Sequence, residues 1–285
     1  MSGNNTILSH IFTQNMLKGM VAHKSEAISG LFSIVKRYNL QSENASNGDI
    51  ISEIYTYLGS NYRNEYFYKN TLLNKLIVNV HRLRTTVALT EVPIARSKAD
   101  FIMINGKAVV YEIKTELDTF DRLQTQISDY YKAFDHVCVV TSEEQYEELE
   151  KQLRETPVGI YVLTRRDTIR RVKEPKEDRS HLDIESIFRV LNKPEYESVV
   201  IQLNGSLPVA TPVRYYGECK RIVLQHHIEE IYPLFLAELK KRNRIDIVEY
   251  SSVPKALQFL VYFGKYRKMD YAELKKFLGE PFDRS

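Results

Sequence analysis

Two carboxylates and the Lys114 ammonium lie among apolar residues in the short stretch ADFIMINGKAVVYEIK, which also holds Lys107 directly after its central Asn-Gly pair. Glu112 and Lys114 alternate with apolar residues, so a β-strand would place both side chains on one face. Charged groups are costly there if they are buried without partners, and a divalent metal with a phosphate would supply such partners. The stretch is therefore a candidate site for a metal ion and a phosphate, with Asp100 as the second carboxylate.

The turn between the two halves of this stretch decides whether Asp100 shares a face with Glu112. The Asn-Gly pair at positions 105 and 106, between apolar runs, is typical of a β-hairpin. A regular two-residue loop would place Asp100 on the face away from Glu112. A three-residue loop, with the glycine left-handed in a bulge and Met103 paired with Lys107, would bring it onto the Glu112 face. We predict the looser turn or an equivalent bulge.

The order of these residues resembles the signature of the PD-(D/E)XK nuclease superfamily. Asp100 is followed after eleven residues by the triplet Glu112-Ile113-Lys114. Ala99 stands where the superfamily signature has a proline, which many of its members also lack. The resemblance covers roughly Asn61–Thr164 and is to an uncharacterised bacterial and phage branch.

The resemblance adds three residues outside the hairpin. Gln126 and Tyr130 match a Q-x-x-x-Y pattern on the following helix, and Glu65 is similar to a helix glutamate that many members add to the metal site. The implied ion is Mg²⁺ or Mn²⁺, and its implied ligands are Asp100, Glu112, the Ile113 carbonyl and Glu65. The implied catalytic residues are Asp100, Glu112, Lys114, Gln126, Glu65 and Tyr130.

Simpler explanations stay open for the same residues. Glu65 lies one helical turn before Lys69, so an exposed ion pair would also explain it. Glu112 and Lys114 could flank each other as a structural ion pair at a strand end, with Asp100 capping a turn. A separate pair, His226 and Glu230, has a spacing that suits a metal ion, but a polar helix face explains it more simply.

The surrounding pattern predicts an α/β fold. The expected elements, in order, are a helix over Arg63–His81, a strand over Thr85–Glu91, the hairpin, a helix over Asp118–Phe134, a strand over His136–Thr141, a helix over Ser142–Glu155 and a strand over Gly159–Leu163. The last strand of the hairpin, the second helix and the strand after it would form a right-handed β-α-β crossover. The resemblance implies the same arrangement, a restriction-endonuclease-like core of helix, three-strand meander with hairpin, helix and strand in a mixed sheet, complete by about Thr164.

Three regions are predicted, with the helical ends flanking the core. They are an N-terminal helical region (1–60), the nuclease-like core (61–170) and a mostly helical C-terminal region (171–285). The charge-dense segment Arg165–Arg179 suggests a boundary, either as a solvated linker or as a DNA contact. The apolar face of Ile222–Leu239 is either a homodimer interface or core.

Further basic groups offer weaker candidates. Arg96 and Lys98 precede Asp100 and are candidate phosphate contacts only. The segment Tyr262–Lys268 interleaves aromatic and basic side chains, which suits nucleic-acid binding or, equally, a helix end packed by tyrosines.

Composition excludes several classes of protein. The net charge of the 285 residues is only +3, so a nucleic-acid surface must come from local clustering. Two cysteines make no disulfide framework, and the chain carries no secretory start and no apolar run that could span a bilayer. We therefore expect a cytoplasmic protein without a membrane partner. P-loop, GxGxxG and GxSxG motifs are missing from the sequence, which leaves ATP, dinucleotide and serine-hydrolase chemistry without support.

The resemblance implies a metal-dependent nuclease that hydrolyses phosphodiester bonds of DNA, in phage defence, mobile elements or repair. Its partner would be nucleic acid, and a homodimer would suit cleavage of both strands. The alternative is a catalytically silent nuclease-fold module that binds nucleic acid or a partner protein.

Overall fold

The computed structural model describes residues 6–40, 43–78, 83, 85–242 and 245–282. Its α-helices, in chain order, are α1 (Thr6–Ile11), α2 (Gln14–Val21), α3 (Ser25–Tyr38), α4 (Asn47–Asn61), α5 (Glu65–Leu72), α6 (Leu123–Tyr131), α7 (Tyr146–Leu153), α8 (Ile184–Val190), α9 (Lys193–Asn204), α10 (Pro212–Val223), α11 (Ile228–Leu239), α12 (Ile247–Ser251), α13 (Gln258–Phe263) and α14 (Lys268–Gly279). A π-helix (Leu73–Val78) continues α5, and a 3-10 turn (Lys255–Leu257) precedes α13. Residues 79–81 of the helix predicted over Arg63–His81 lie outside the described residues.

Six strands form one mixed sheet in the order β1-β2-β3-β4-β5-β6. They are β1 (Val87–Ile94), β2 (Ser97–Asn105), β3 (Lys107–Ile113), β4 (Val137–Ser142), β5 (Gly159–Leu163) and β6 (Ile169–Lys173). The first three strands make an antiparallel meander, β3-β4-β5 are parallel, and β6 closes the sheet antiparallel to β5. The predicted α/β class, the mixed sheet and the order meander, helix, strand are confirmed.

Two compact units make up the chain, and their bounds differ from the predicted regions 1–60, 61–170 and 171–285. One unit joins Met1–Val80 to Ile245–Ser285, and the other spans His81–Arg244. The first is all helical in its described residues. Buried Asn70 ties it together, because its side-chain amide donates to the Tyr55 hydroxyl (2.8 Å) and its amide oxygen accepts from the Phe259 N–H (3.0 Å).

The second unit holds the sheet, and its apolar core extends beyond the strands to α8, α9, α10 and α11. Buried side chains of these helices share one cluster with the sheet; they include Ile187, Phe188, Val199, Ile222, Ile231, Phe235 and Leu239. The predicted core, complete by about Thr164, is therefore too short. The apolar face of Ile222–Leu239 is core in its buried part, as one of the two alternatives had it.

Two segments differ from their predicted structure in instructive ways. The charge-dense segment Arg165–Arg179, predicted as a linker or a DNA contact, contains β6, since Tyr161 of β5 pairs with Arg171. Strand β1 continues beyond the predicted end at Glu91 and includes Pro93. A proline is tolerated there because β1 is an edge strand, where a missing N–H costs no ladder hydrogen bond.

Candidate active site

The β2–β3 hairpin brings Asp100 and Glu112 to one face of the sheet. Phe101 pairs with Tyr111 and Ile102 with Val110, and continuing this register sets Asp100 beside Glu112. One carboxylate oxygen of Asp100 (Oδ2) also accepts a hydrogen bond of 2.8 Å from the Ile113 N–H. The face they share is the one packed against α6, because the apolar cluster joins Ile102, Val110, Leu123 and Ile127.

The turn confirms the predicted face but not the predicted pairing. Gly106 has the expected left-handed backbone, with φ of +75°. Asn105 pairs with Lys107 across it, and Met103 pairs with Val109, so the predicted pairing of Met103 with Lys107 is wrong. The observed partner lies two residues further along, and a shift of two leaves the face of every side chain unchanged.

Glu112 is 2% exposed, and both oxygens of its carboxylate are bonded to other side chains. Oε1 accepts from the Gln126 Nε2 at 2.5 Å and lies 3.0 Å from the Lys114 Nζ. Oε2 accepts from the Tyr130 hydroxyl at 2.5 Å. A buried carboxylate needs such donors to remain ionised, and charge-assisted hydrogen bonds are the strong ones. We refer to Glu112, Lys114, Gln126 and Tyr130 as the Glu112 cluster.

Gln126 holds the two charged members of the cluster at once. Its Nε2 donates to Glu112, while its Oε1 accepts from the Lys114 Nζ at 2.8 Å. Lys114 is itself buried, with 7% of its side chain exposed, so its ammonium depends on Glu112 and Gln126 for partners. The side chain of Gln126 therefore fixes the spacing between a carboxylate and an ammonium.

Tyr130 contributes a hydroxyl that stays protonated. Burial raises its pKa well above the usual value for tyrosine, and the negative charges of Glu112 and Asp100 raise it further. The hydroxyl lies 2.5 Å from Glu112 Oε2 and 3.0 Å from the Lys98 carbonyl oxygen, so it can donate to either. Tyr130 therefore contacts Glu112 directly.

A second buried carboxylate, Asp129, fixes α6 against the β1–β2 turn. It accepts from the Arg96 N–H at 3.3 Å, the Ser97 hydroxyl at 2.9 Å and the Lys132 Nζ at 2.6 Å. Burial opposes its ionisation, but hydrogen bonds from Lys132 and Ser97 outweigh burial and hold the pKa of Asp129 below its usual value. Sequence reasoning missed this residue, because an acid near the end of an amphipathic helix resembles a surface position.

Glu91 is a further acid that the sequence did not single out. It lies opposite Asp100 in the β1–β2 register, and the two carboxylates have oxygens within 4.8 Å of each other. Its backbone is left-handed, with φ of +56°, which is unusual for a residue other than glycine. Lys98, predicted as a phosphate contact, forms an ion pair with Glu91, whereas the side chain of Arg96 is exposed.

Glu65 belongs to the other compact unit, where it is the first residue of α5. Its carboxylate lies 2.5 Å from the Lys69 Nζ, so the ion pair one helical turn away is present. Glu65 is 57% exposed, and only 8% of the Lys69 side chain is. The roles of Glu65 as a metal ligand and of the Ile113 carbonyl as a backbone ligand stay predictions.

The other candidate segments have structural explanations. In Arg165–Arg179, Arg165 pairs with Glu144, Arg179 pairs with Asp135 and the Lys173 Nζ donates to the Leu153 carbonyl at 2.6 Å. In Tyr262–Lys268, Tyr262 is buried and the Tyr266 hydroxyl lies 3.0 Å from Gln14 Oε1. His226 lies 3.5 Å from Glu230 at the start of α11, a surface pair of a polar helix end.

One family model matches most of the chain. The family is described as bacteriophage P4 protein cII, and the match runs over residues 59–259, more than half of the sequence. The chain belongs to the bacteriophage P4 protein cII family. The matched range of this cII-family protein includes the whole Glu112 cluster, Asp100 and Asp129. No curated protein and no solved structure matches it.

Among the described residues of this cII-family protein, no helix is both long and apolar enough to cross a bilayer.

Proposed function

We propose that this protein is a metal-dependent nuclease of the PD-(D/E)XK type that hydrolyses phosphodiester bonds in DNA. The observation that carries the proposal is the Glu112 cluster, in which a buried carboxylate and a buried ammonium lie 3.0 Å apart on the face that also carries Asp100. The same Asp, Glu and Lys residues would not support the proposal if they lay far from each other. The meander, α6 and β4 suit a restriction-endonuclease-like core, with the site at the carboxyl end of β3.

The donor set suits Mg²⁺ or Mn²⁺, since hard divalent ions prefer carboxylate oxygens. An ionised carboxylate has about four lone-pair positions, and three donors contact Glu112, which leaves capacity for one more ligand. Asp100 is half-buried beside it and would be the second carboxylate ligand. When bound, the ion would neutralise phosphate charge and lower the pKa of bound water.

The protein's own groups would act on the phosphate and the attacking water. Lys114 carries a positive charge that would stabilise the charge developing on phosphorus oxygens or orient the water. Gln126 would keep the Lys114 ammonium at a fixed distance from Glu112, because it bonds to both. Tyr130 would hold the other Glu112 oxygen and so set the rotation of the carboxylate. Preorganisation of this kind lowers the barrier because the groups need not rearrange during the reaction.

A second candidate function is a nuclease-fold module that binds nucleic acid or a partner protein without cutting. The observation that favours it is that Glu112 is 2% exposed and that both of its carboxylate oxygens already accept hydrogen bonds from side chains. A polar cluster that only stabilises the fold would have the same internal bonds. In the nuclease, a metal ion would bind at this cluster and DNA would be cut there. In the binding module, neither would happen at the cluster.

The test is incubation of the purified protein with plasmid, linear, single-stranded and flap DNA in Mg²⁺ or Mn²⁺. We expect cleavage of at least one substrate by the wild type and none by Glu112→Ala. The matched control is Glu148→Ala, because Glu148 is an exposed acid on α7. It should cut like the wild type.

Thermal unfolding separates metal binding from cutting. Millimolar Mn²⁺ should raise the unfolding temperature of the wild type and of Glu148→Ala by several degrees, since a ligand that binds only the native state stabilises it. Glu112→Ala should not respond. If neither metal stabilises the wild type and no substrate is cut, the binding module becomes the better account.

A further inference from the structure

A cleft lies at the opposite end of the parallel strands from the Glu112 cluster. It has a volume of about 410 Å³ and is lined by the β2–β3 turn, the residues just before β4, the segment around Arg179 and one side of α11. Lys107 starts β3 and His136 immediately precedes β4, whereas Glu112 is near the end of β3. The cleft is in the size range of ligand pockets, roughly 300–1,000 Å³.

The floor of this cleft is a buried polar network centred on Asp135. The Asp135 carboxylate lies 2.8 Å from the His136 Nδ1 and 3.2 Å from the Arg179 Nε, and the Asp135 N–H donates to the Tyr232 hydroxyl. Asp135, His136 and Tyr232 are 3%, 6% and 3% exposed. Burial opposes ionisation of Asp135, but its hydrogen-bond partners hold its pKa below the usual value, so the carboxylate is charged.

Nδ1 of the His136 ring is therefore held by the Asp135 carboxylate. An ionised carboxylate can only accept, so the proton between Asp135 and His136 belongs to Nδ1. Among the described residues, Nδ1 of His136 contacts Asp135 and no hydrogen bond of Nε2 is found, while His136 itself lines the cleft.

Two lysines at the rim of the cleft add positive charge. Lys107 and Lys240 both line it and are exposed, and among the residues that the structure describes neither has an acidic partner. The acids that line the cleft, Asp135 and Glu177, are both paired with Arg179. Exposed lysines without acidic partners leave the rim positively charged, and positive charge along a cleft attracts anions.

We infer that this cleft binds the phosphate group of a small phosphorylated molecule, with Lys107 and Lys240 at its rim supplying the positive charge. The lining also has an apolar part, formed by Pro233, Leu236 and Ala237 on α11. An apolar wall would take the organic part of the ligand, so a nucleoside monophosphate suits the cleft better than inorganic phosphate alone. The inference is independent of the proposed nuclease site.

Calorimetric titration of the full-length protein with inorganic phosphate and with adenosine monophosphate tests it. We expect both to bind, the nucleotide more tightly. Lys107→Ala and Lys240→Ala should each weaken binding about tenfold, as expected for loss of one charge-assisted contact. Both side chains are exposed, so the folded state should tolerate these changes. Lys151→Ala, an exposed lysine on α7, is the matched control and should bind normally.

Two further arms make the result decisive. Glu112→Ala should bind the nucleotide like the wild type, so a failed nuclease proposal would leave this inference standing. An unphosphorylated single-stranded oligonucleotide distinguishes a nucleic-acid backbone from a small ligand. The inference is overturned if neither phosphate probe binds at millimolar concentration. It is also overturned if both lysine variants bind the probes as tightly as the wild type. Loss of oligonucleotide binding alone in these variants would instead identify the cleft as a backbone contact.

Discussion

Two buried carboxylates meet helix α6, and they differ in what surrounds them. Asp129 is bonded to a main-chain N–H, a hydroxyl and the Lys132 ammonium, whose side chain is 34% exposed. Glu112 is bonded to Gln126, Tyr130 and a lysine that is itself buried, and Asp100 shares its face. Burial of an acid thus shows only that it is paired. The convergence of a second acid and a buried cation is what separates a candidate site from a structural tie.

Lys114→Ala, beside Glu112, should have the largest effect on cleavage of all changes around the two carboxylates. Cleavage should fall about 1,000-fold, because a preorganised charge near the developing negative charge is lost while the carboxylates remain. Affinity for uncut DNA should weaken only slightly. Single-turnover cleavage and DNA binding measure the two effects, with Lys151→Ala as the control. Equal loss of binding and cutting would make Lys114 a substrate contact.

Gln126→Ala should have an intermediate effect. It removes the bridge between Glu112 and Lys114, a contribution of about 1–3 kcal/mol, so the cleavage rate should fall roughly 10- to 100-fold. Gln124→Ala changes an exposed glutamine on the same helix and should cut normally. A Gln126→Ala rate equal to that of the wild type would show that the bridge is structural only.

Asp129→Asn should give the opposite profile. Loss of its charge-assisted hydrogen bonds should lower the free energy of unfolding by about 1–3 kcal/mol. The cleavage rate per folded molecule should stay within about threefold of the wild type, a tolerance well below the effect of one catalytic group. Urea unfolding and cleavage assays on the same preparation test this. A rate loss as large as that of Lys114→Ala would remove the contrast between the two carboxylates.

The smallest effect is in the pH dependence of stability. The pKa of Asp129 is lowered on folding, so its ionised form stabilises the protein above the unfolded-state pKa of about 3.9. That contribution is lost as the pH falls through the lower, folded-state pKa. Asp129→Asn should therefore differ from the wild type at pH 7 and approach it as the pH falls below about 4. Unfolding at pH 7, 4 and 3 measures the difference, and a constant difference would contradict it.

Local rules predicted much of the candidate site. Strand alternation put Glu112 and Lys114 on one face, and the spacing of four residues put Gln126 and Tyr130 on one side of α6. The left-handed Gly106 followed from the turn composition. These features depend on neighbours a few residues apart, which the sequence displays directly.

Long-range packing could not be predicted in the same way. The contacts of Asp129 with Arg96 and Ser97 join residues more than thirty positions apart. Helices α8 to α11 cover the sheet, yet their apolar stripes do not say which surface they will bury against. The charges of Arg165–Arg179 predict a solvated linker or a DNA contact and not a strand, because the pairing of Arg171 with Tyr161 depends on a neighbouring strand.

The most direct test of the central claim compares cutting and binding in Glu112→Gln. This change keeps the size of the side chain but removes the charge that a metal ion requires. We predict that DNA cleavage in Mn²⁺ is abolished, while affinity for uncut DNA without metal is unchanged or tighter, because a negative charge facing phosphate is gone. Cleavage by folded Glu112→Gln at the wild-type rate would contradict the assignment of Glu112 to a nuclease site.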